Sequence, residues 1–146
     1  MRLLLIVSLM AGFASTAHAL TLKEKQKKES WTKELADEKN YEVKEFKAKC
    51  GYDIPITFED KMVTAFLEKN TDLPSYCGAP RDAMRGMCKD ETAKKEITTK
   101  VKKITCKLGA EKEKSFKLEN GELILTVAPG ATNLEQEATK WFENNL

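Results

Sequence analysis

The hydrophobic pattern of this chain changes period near residue 103, from the 3.6 of a helix to the 2 of a strand. That change restricts the fold more than any other feature. Ile104, Cys106 and Leu108 alternate with Lys103, Thr105 and Lys107, which predicts a half-buried strand. Two more strands, Ser115 to Glu119 and Glu122 to Ala128, flank Asn120-Gly121, the dipeptide favoured in two-residue hairpins. With that pair as the loop, Leu118 faces Leu123 and Phe116 faces Leu125 on one side. Lys117, Glu119, Glu122 and Thr126 fall on the other, so both strands agree about which face is buried.

The residues before the change read as helices. Leu22 to Lys49 is rich in Lys and Glu and contains no Gly or Pro, with Asn40 as a break and Gly51 as a stop. Residues 20 to 30 lack an apolar face and are expected to be frayed or disordered. Pro55 forces Ile54 into an extended conformation. A helix is expected from Phe58 to Asn70, opened by Thr57-Phe58-Glu59-Asp60 as an approximate capping box. Asp72 to Ser75 reads as a loop, Ala79-Pro80 as the start of a helix reaching Cys88, and Asp90 as the cap of another through Thr99. After Pro129-Gly130, Thr132-Asn133-Leu134-Glu135 predicts a capped last helix that buries Leu134, Ala138, Trp141 and Phe142. The expected class is α+β: N-terminal helices, a three-stranded antiparallel meander and a C-terminal helix.

Met1 to Ala19 reads as a secretory signal peptide, with Arg2 at its positive end, an apolar Leu3 to Phe13 and Ala17-His18-Ala19 as a small-x-small cleavage site. A single domain, residues 20–146, is expected to remain, exported to a periplasmic or extracellular space. His18 is the only histidine of the chain, so the mature domain would lack the commonest general base and metal ligand. No later apolar run approaches the twenty or so residues of a membrane span. Without Arg2, the 25 basic residues become 24 against 23 acidic ones. A balance of that kind predicts no field toward nucleic acid.

Cys50, Cys77, Cys88 and Cys106 are expected to form two disulfides in an oxidising compartment. They lack the paired spacing of a zinc site and contain no C-x-x-C. A helix between Cys77 and Cys88 would separate them by roughly 12 Å of rise, too far to bridge. Cys50–Cys77 with Cys88–Cys106 is the preferred pairing, and Cys50–Cys88 with Cys77–Cys106 stays open.

No phosphate loop, calcium loop or glycosylation acceptor is present, and no cofactor is implied. The mature chain uses lysine 22 times and arginine only at Arg81 and Arg85. Spaced i, i+4 at the expected start of a helix, with Tyr76 nearby, the two would offer planar forks to an anionic group. The competing reading pairs them with the chain's own acids, such as Asp72, Asp82 or Glu91. Nine lysines fall between Lys94 and Lys117, and the lysine-bearing face of helix and strand from Lys94 to Lys107, with Lys103 and Lys107 on the strand, is a secondary candidate surface. The expected function is a non-catalytic binding domain for a protein or an anionic envelope component. A hydrolase of envelope polymer, using carboxylates that converge in space, is the alternative. It would be favoured by a cleft holding two acids, one with a raised pKa. A structural role, with the polar first helix docked on another chain, is the third.

Overall fold

A computed structural model describes residues 19–146; the signal-peptide reading and His18 fall outside them, apart from Ala19. Five helices precede or interrupt the first two strands. These are α1 (Leu22–Ala36), α2 (Tyr41–Cys50), α3 (Asp60–Glu68), α4 (Leu73–Met87) and α5 (Glu91–Lys100), with β1 (Ile56–Phe58) between α2 and α3. Strands β2 (Lys103–Leu108), β3 (Lys114–Glu119) and β4 (Glu122–Val127) follow, and α6 (Leu134–Asn145) closes the chain.

The helix α1 is tied down at the end where fraying was expected. Thr21 caps it in a full capping box with Glu24, whose other carboxylate oxygen accepts a 2.6 Å bond from Thr64 Oγ1 of α3. Lys28 pairs with Asp60 at 2.6 Å, and Trp31 and Leu35 are buried. Only a narrow apolar stripe is needed, because α1 touches the core along one line. Asn40 caps α2 and Gly51 ends it in the left-handed conformation (φ 79°), as the sequence predicts.

Two helix starts differ from expectation. Ile56 to Phe58 is taken by β1, so Thr57 cannot cap; α3 begins at Asp60, behind Glu59, whose carboxylate accepts instead from Leu108 N. Asn133 sits at the α6 cap position in a left-handed conformation and makes no side-chain capping bond, so the box expected from Thr132 is absent.

The largest correction to the helices is at α4. The segment Asp72 to Ser75 is its capped start, with Asp72 accepting from Ser75 N at 3.2 Å and Pro74 in the first turn. Cys77, Gly78, Ala79 and Pro80 lie in its interior, although Pro80 cannot donate to the Tyr76 carbonyl. Packing compensates: α4 is the central element, in contact with α1, α2, α3, α5, α6, β1 and β2.

The sheet has the order β1-β2-β4-β3. Strands β1, β2 and β4 run parallel, and only β3 and β4 pair antiparallel. The three-stranded antiparallel meander is therefore replaced by a four-stranded mixed sheet in which β4 lies between β2 and β3. The hairpin itself stands as predicted, with Phe116 opposite Leu125, Leu118 opposite Leu123, and Asn120 and Gly121 at φ 50° and 81°. Alternation reports which face a strand buries; it does not report its neighbours. Ile104, Cys106, Leu123, Leu125 and Val127 are wholly buried, so β2 and β4 occupy the sheet centre. Phe116 and Leu118 are half-buried, as suits an edge. The five-residue link from Gly109 to Glu113 needs to step only about 10 Å sideways, two strand spacings, to reach the far side of β4.

The predicted two disulfides are formed, in the pairing that was left open. Cys50 joins Cys88 (Cα–Cα 5.2 Å) and Cys77 joins Cys106 (5.9 Å), which replaces the preferred Cys50–Cys77 and Cys88–Cys106. With Cys77 inside α4 on the face that meets β2, its sulfur points at the sheet, and Cys88 at the helix end meets the end of α2. Two such bridges fit an oxidising, exported environment. No helix among the described residues is long and apolar enough to cross a membrane.

Candidate functional site

All three residues of the first candidate surface lie on α4, with Tyr76 in its first turn but neither arginine at its N-terminus. The helix begins at Leu73, so Arg81 sits in its third turn and Arg85 in its last. The favourable dipole for an anion is therefore lost. The guanidinium groups are also engaged. Arg81 is 4 % exposed and donates from Nη1 to the Leu35 carbonyl at the end of α1 (2.8 Å). Arg85 forms an ion pair with Glu42 of α2 and lies over the Tyr41 ring, 5.8 Å from its centroid. The partners are Glu42 and a backbone carbonyl, not Asp72 or Glu91. Tyr76 packs edge-on against Phe66 and accepts a 3.0 Å bond from Gly130 N at its hydroxyl, holding the loop after β4.

Lys103 and Lys107 alternate with the buried Ile104 and Cys106, so they project from the opposite face of the sheet. The structure does not bring them to the arginines. They share that open face with Thr57, Thr105, Ser115, Lys117 and Thr126, and Lys103 is already paired with Glu122 at 3.0 Å.

The arginines mark the edge of a cleft that sequence reasoning missed. A space of about 270 Å³ opens between the turn joining α1 to α2 and the first half of α4, lined by Glu34, Asn40, Glu42, Asp72, Arg81 and Asp82, among others. Burial, the charge of Glu42 and a hydrogen bond with it push the Asp82 carboxyl up to about 6, against the opposing pull of Arg81 and Arg85. Asp82 Oδ1 and Arg81 Nε are both buried without a hydrogen-bond partner among the described residues. Burial also lowers Arg81 from the ordinary guanidinium value. A second cleft of about 280 Å³ lies on the other side of α4, between it and the start of α6, lined by Ser75, Tyr76, Ala79, Asp82 and Glu135, among others.

These acids are scattered over residues 34 to 135, and no local motif could have grouped them.

The chemistry open to this cluster is limited by its own contacts. Glu42 and Asp82 line one cleft, but Glu42 is already engaged by its ion pair with Arg85. No set of three or more His, Cys, Asp or Glu among the described residues is arranged to hold a metal ion. No family model, curated protein or solved structure matches this chain.

Proposed function

We propose that this chain is an exported, non-catalytic binding domain that recognises its partner across α4. The supporting observation is the pair of clefts that flank the first half of that helix and share Ser75 and Asp82. Their polar groups are held by neighbours: Glu42 by Arg85, Arg81 by Leu35, and Tyr76 by Gly130. Groups fixed in this way suit recognition, which gains from rigid, prearranged contacts. Export is supported by the Met1 to Ala19 segment and by the two disulfides.

A photo-crosslinking side chain placed at exposed Ser75, and separately at exposed Lys107, tests the reading in the native exported fraction. A specific adduct at 75 and none at 107 is expected. Adducts at neither position would overturn the binding reading, and an adduct at 107 alone would move recognition to the open sheet face.

A second reading, a hydrolase of envelope polymer, is favoured by the presence of two acids in one cleft, one of them raised. An aspartic dyad also shares a proton between carboxyls in contact. The ion pair of Glu42 with Arg85 counts against it, because it holds the carboxylate that would have to release or accept that proton. Hydrolysis of envelope polymer that disappears in Asp82→Asn would establish this reading instead.

A further inference from the structure

We propose that β3 is a self-complementary edge that pairs with β3 of a second copy of this chain, antiparallel about a two-fold axis at Lys117. Two four-stranded sheets then become one of eight strands. The inference goes beyond recognition across α4 and uses neither cleft.

The sheet ends at β1 on one side and at β3 on the other. The first edge is three residues long and in contact with α1 and α4; the second is six. Strand β3 pairs with β4 one residue for one along its length, so no bulge twists it away, and it contains no proline. Ala128 N donates to the Glu113 carbonyl at 3.0 Å, in the same register. Alternation along an antiparallel pair then directs the backbone groups of Ser115, Lys117 and Glu119 toward β4. Those of Lys114, Phe116 and Leu118 face outward. Phe116 and Leu118 make no turn or loop hydrogen bond among the described residues, so the edge is free to pair.

A lysine in mid-strand is a common guard of such an edge. Lys117 occupies that place, but Glu119 neutralises it at 2.6 Å within the same strand. Lys114 is likewise paired with Glu137 of α6 at 3.5 Å. The edge therefore meets a second copy of itself without net repulsion.

Outward-facing residues must meet outward-facing residues, and two symmetric registers do this while keeping most of the strand paired. Centred on Phe116, the pairing sets Glu119 against Glu113 and Leu118 against Lys114. Centred on Lys117, it sets Phe116 against Leu118 of the second copy twice, as hydrogen-bonded pairs, and Ser115 against Glu119. The two lysines at the axis lie between the Glu119 carboxylates of both copies, so the four charges sum to zero. The second register is the better one.

The core face agrees. Phe116 and Leu118 are half-buried, and half-buried Trp141 of α6 lies 6.2 Å from the Phe116 ring. These side chains form an apolar border that the second copy would cover. Helix α4 lies against β1 and β2, and α6 against β3. A helix about 10 Å across spans two strand spacings, so two helices on four strands leave room for the sheet to continue.

Sedimentation equilibrium of the exported protein, from micromolar to millimolar concentration, tests the seam. The mass should rise with concentration from that of one chain toward that of two, because a contact this small is weak and reversible. Lys117→Glu puts four carboxylates at the axis and should return the protein to a monomer; the position is exposed, so the fold should persist. Leu118→Pro removes the outward N–H and leaves every bond to β4, which an edge strand tolerates. It should also abolish the dimer, whereas Leu118→Ala, which keeps that N–H, should weaken it less. Lys117→Cys, oxidised after folding, should link two chains by a disulfide, since the pair at the axis sets its Cα atoms about 4.5 Å apart. Thr126→Cys, on the same face of β4, should not. A mass fixed at one chain throughout would overturn the proposal. So would a dimer unchanged by both Lys117→Glu and Leu118→Pro, or linkage through Thr126→Cys but not Lys117→Cys.

Discussion

The two sides of α4 obey different rules. Toward the sheet, Cys77 and Met84 are wholly buried, and a disulfide ties the helix to β2. Toward α1, α2 and the start of α6, the same helix presents Ser75, Gly78 and Asp82, with charge where the other side has packing. One side determines whether the domain folds, and the other what it meets. Substitutions on the two sides should therefore differ in kind as well as in size.

The largest effects belong to the sheet side. Replacing Cys77 and Cys106 together by serine should cost about 3–4 kcal/mol in urea unfolding, through lost loop closure over a separation of 29 residues. Met84→Ala comes next, at about 3 kcal/mol, because a wholly buried side chain would leave a cavity. If either variant were nearly neutral, the division between a structural and a recognition side would fail.

The outer side should respond to pH. Asp82 has a folded value near 6, above the 3.8 of a free carboxyl, so the folded state binds more protons than the unfolded chain between those values. Stability from this group therefore falls as pH rises from about 4 to 6, and the penalty is complete above that window. Asp82→Asn removes it. Because the carboxyl is partly open to solvent, the gain at pH 7.5 should be about 1 kcal/mol, well below the full conversion of the shift. Thermal melts of both proteins should converge below pH 4; a constant gap would assign the effect to packing. A double-mutant cycle on Glu42 and Arg85 should give a coupling of about 1 kcal/mol or less, since both side chains are partly exposed. Smallest of all, Ser75→Ala should change stability by about 0.5 kcal/mol or less, as an exposed position outside the core. A larger loss there would make the cleft rim part of the folding machinery.

The hairpin and most helix ends were legible because each rests on residues close in sequence, such as Asn120-Gly121 or Gly51. The order of the strands was not, because the alternation in β2 is the same whether its neighbour is β3 or β4. The start of α4 was misread for a related reason: Gly78 and Pro80 oppose a helix locally, and the contacts that override them come from seven other elements. The candidate site was half legible. Arg81 and Arg85 were noticed for their rarity, but their sign was cancelled by Glu42 and by a carbonyl at the end of α1. Neither partner is near them in the chain.

The bridges Cys50–Cys88 and Cys77–Cys106 interleave, the first cysteine with the third and the second with the fourth. A chain delivered N-terminus first presents Cys50 and Cys77 together before either native partner has arrived. Oxidation at that moment yields a bond that must later be exchanged. Maturation of this domain is therefore expected to depend on the relative speeds of delivery and oxidation. Acid-trapping during oxidative refolding should capture a Cys50–Cys77 species that disappears as the native pairs form. A thiol–disulfide isomerase in the refolding mixture should shorten its lifetime.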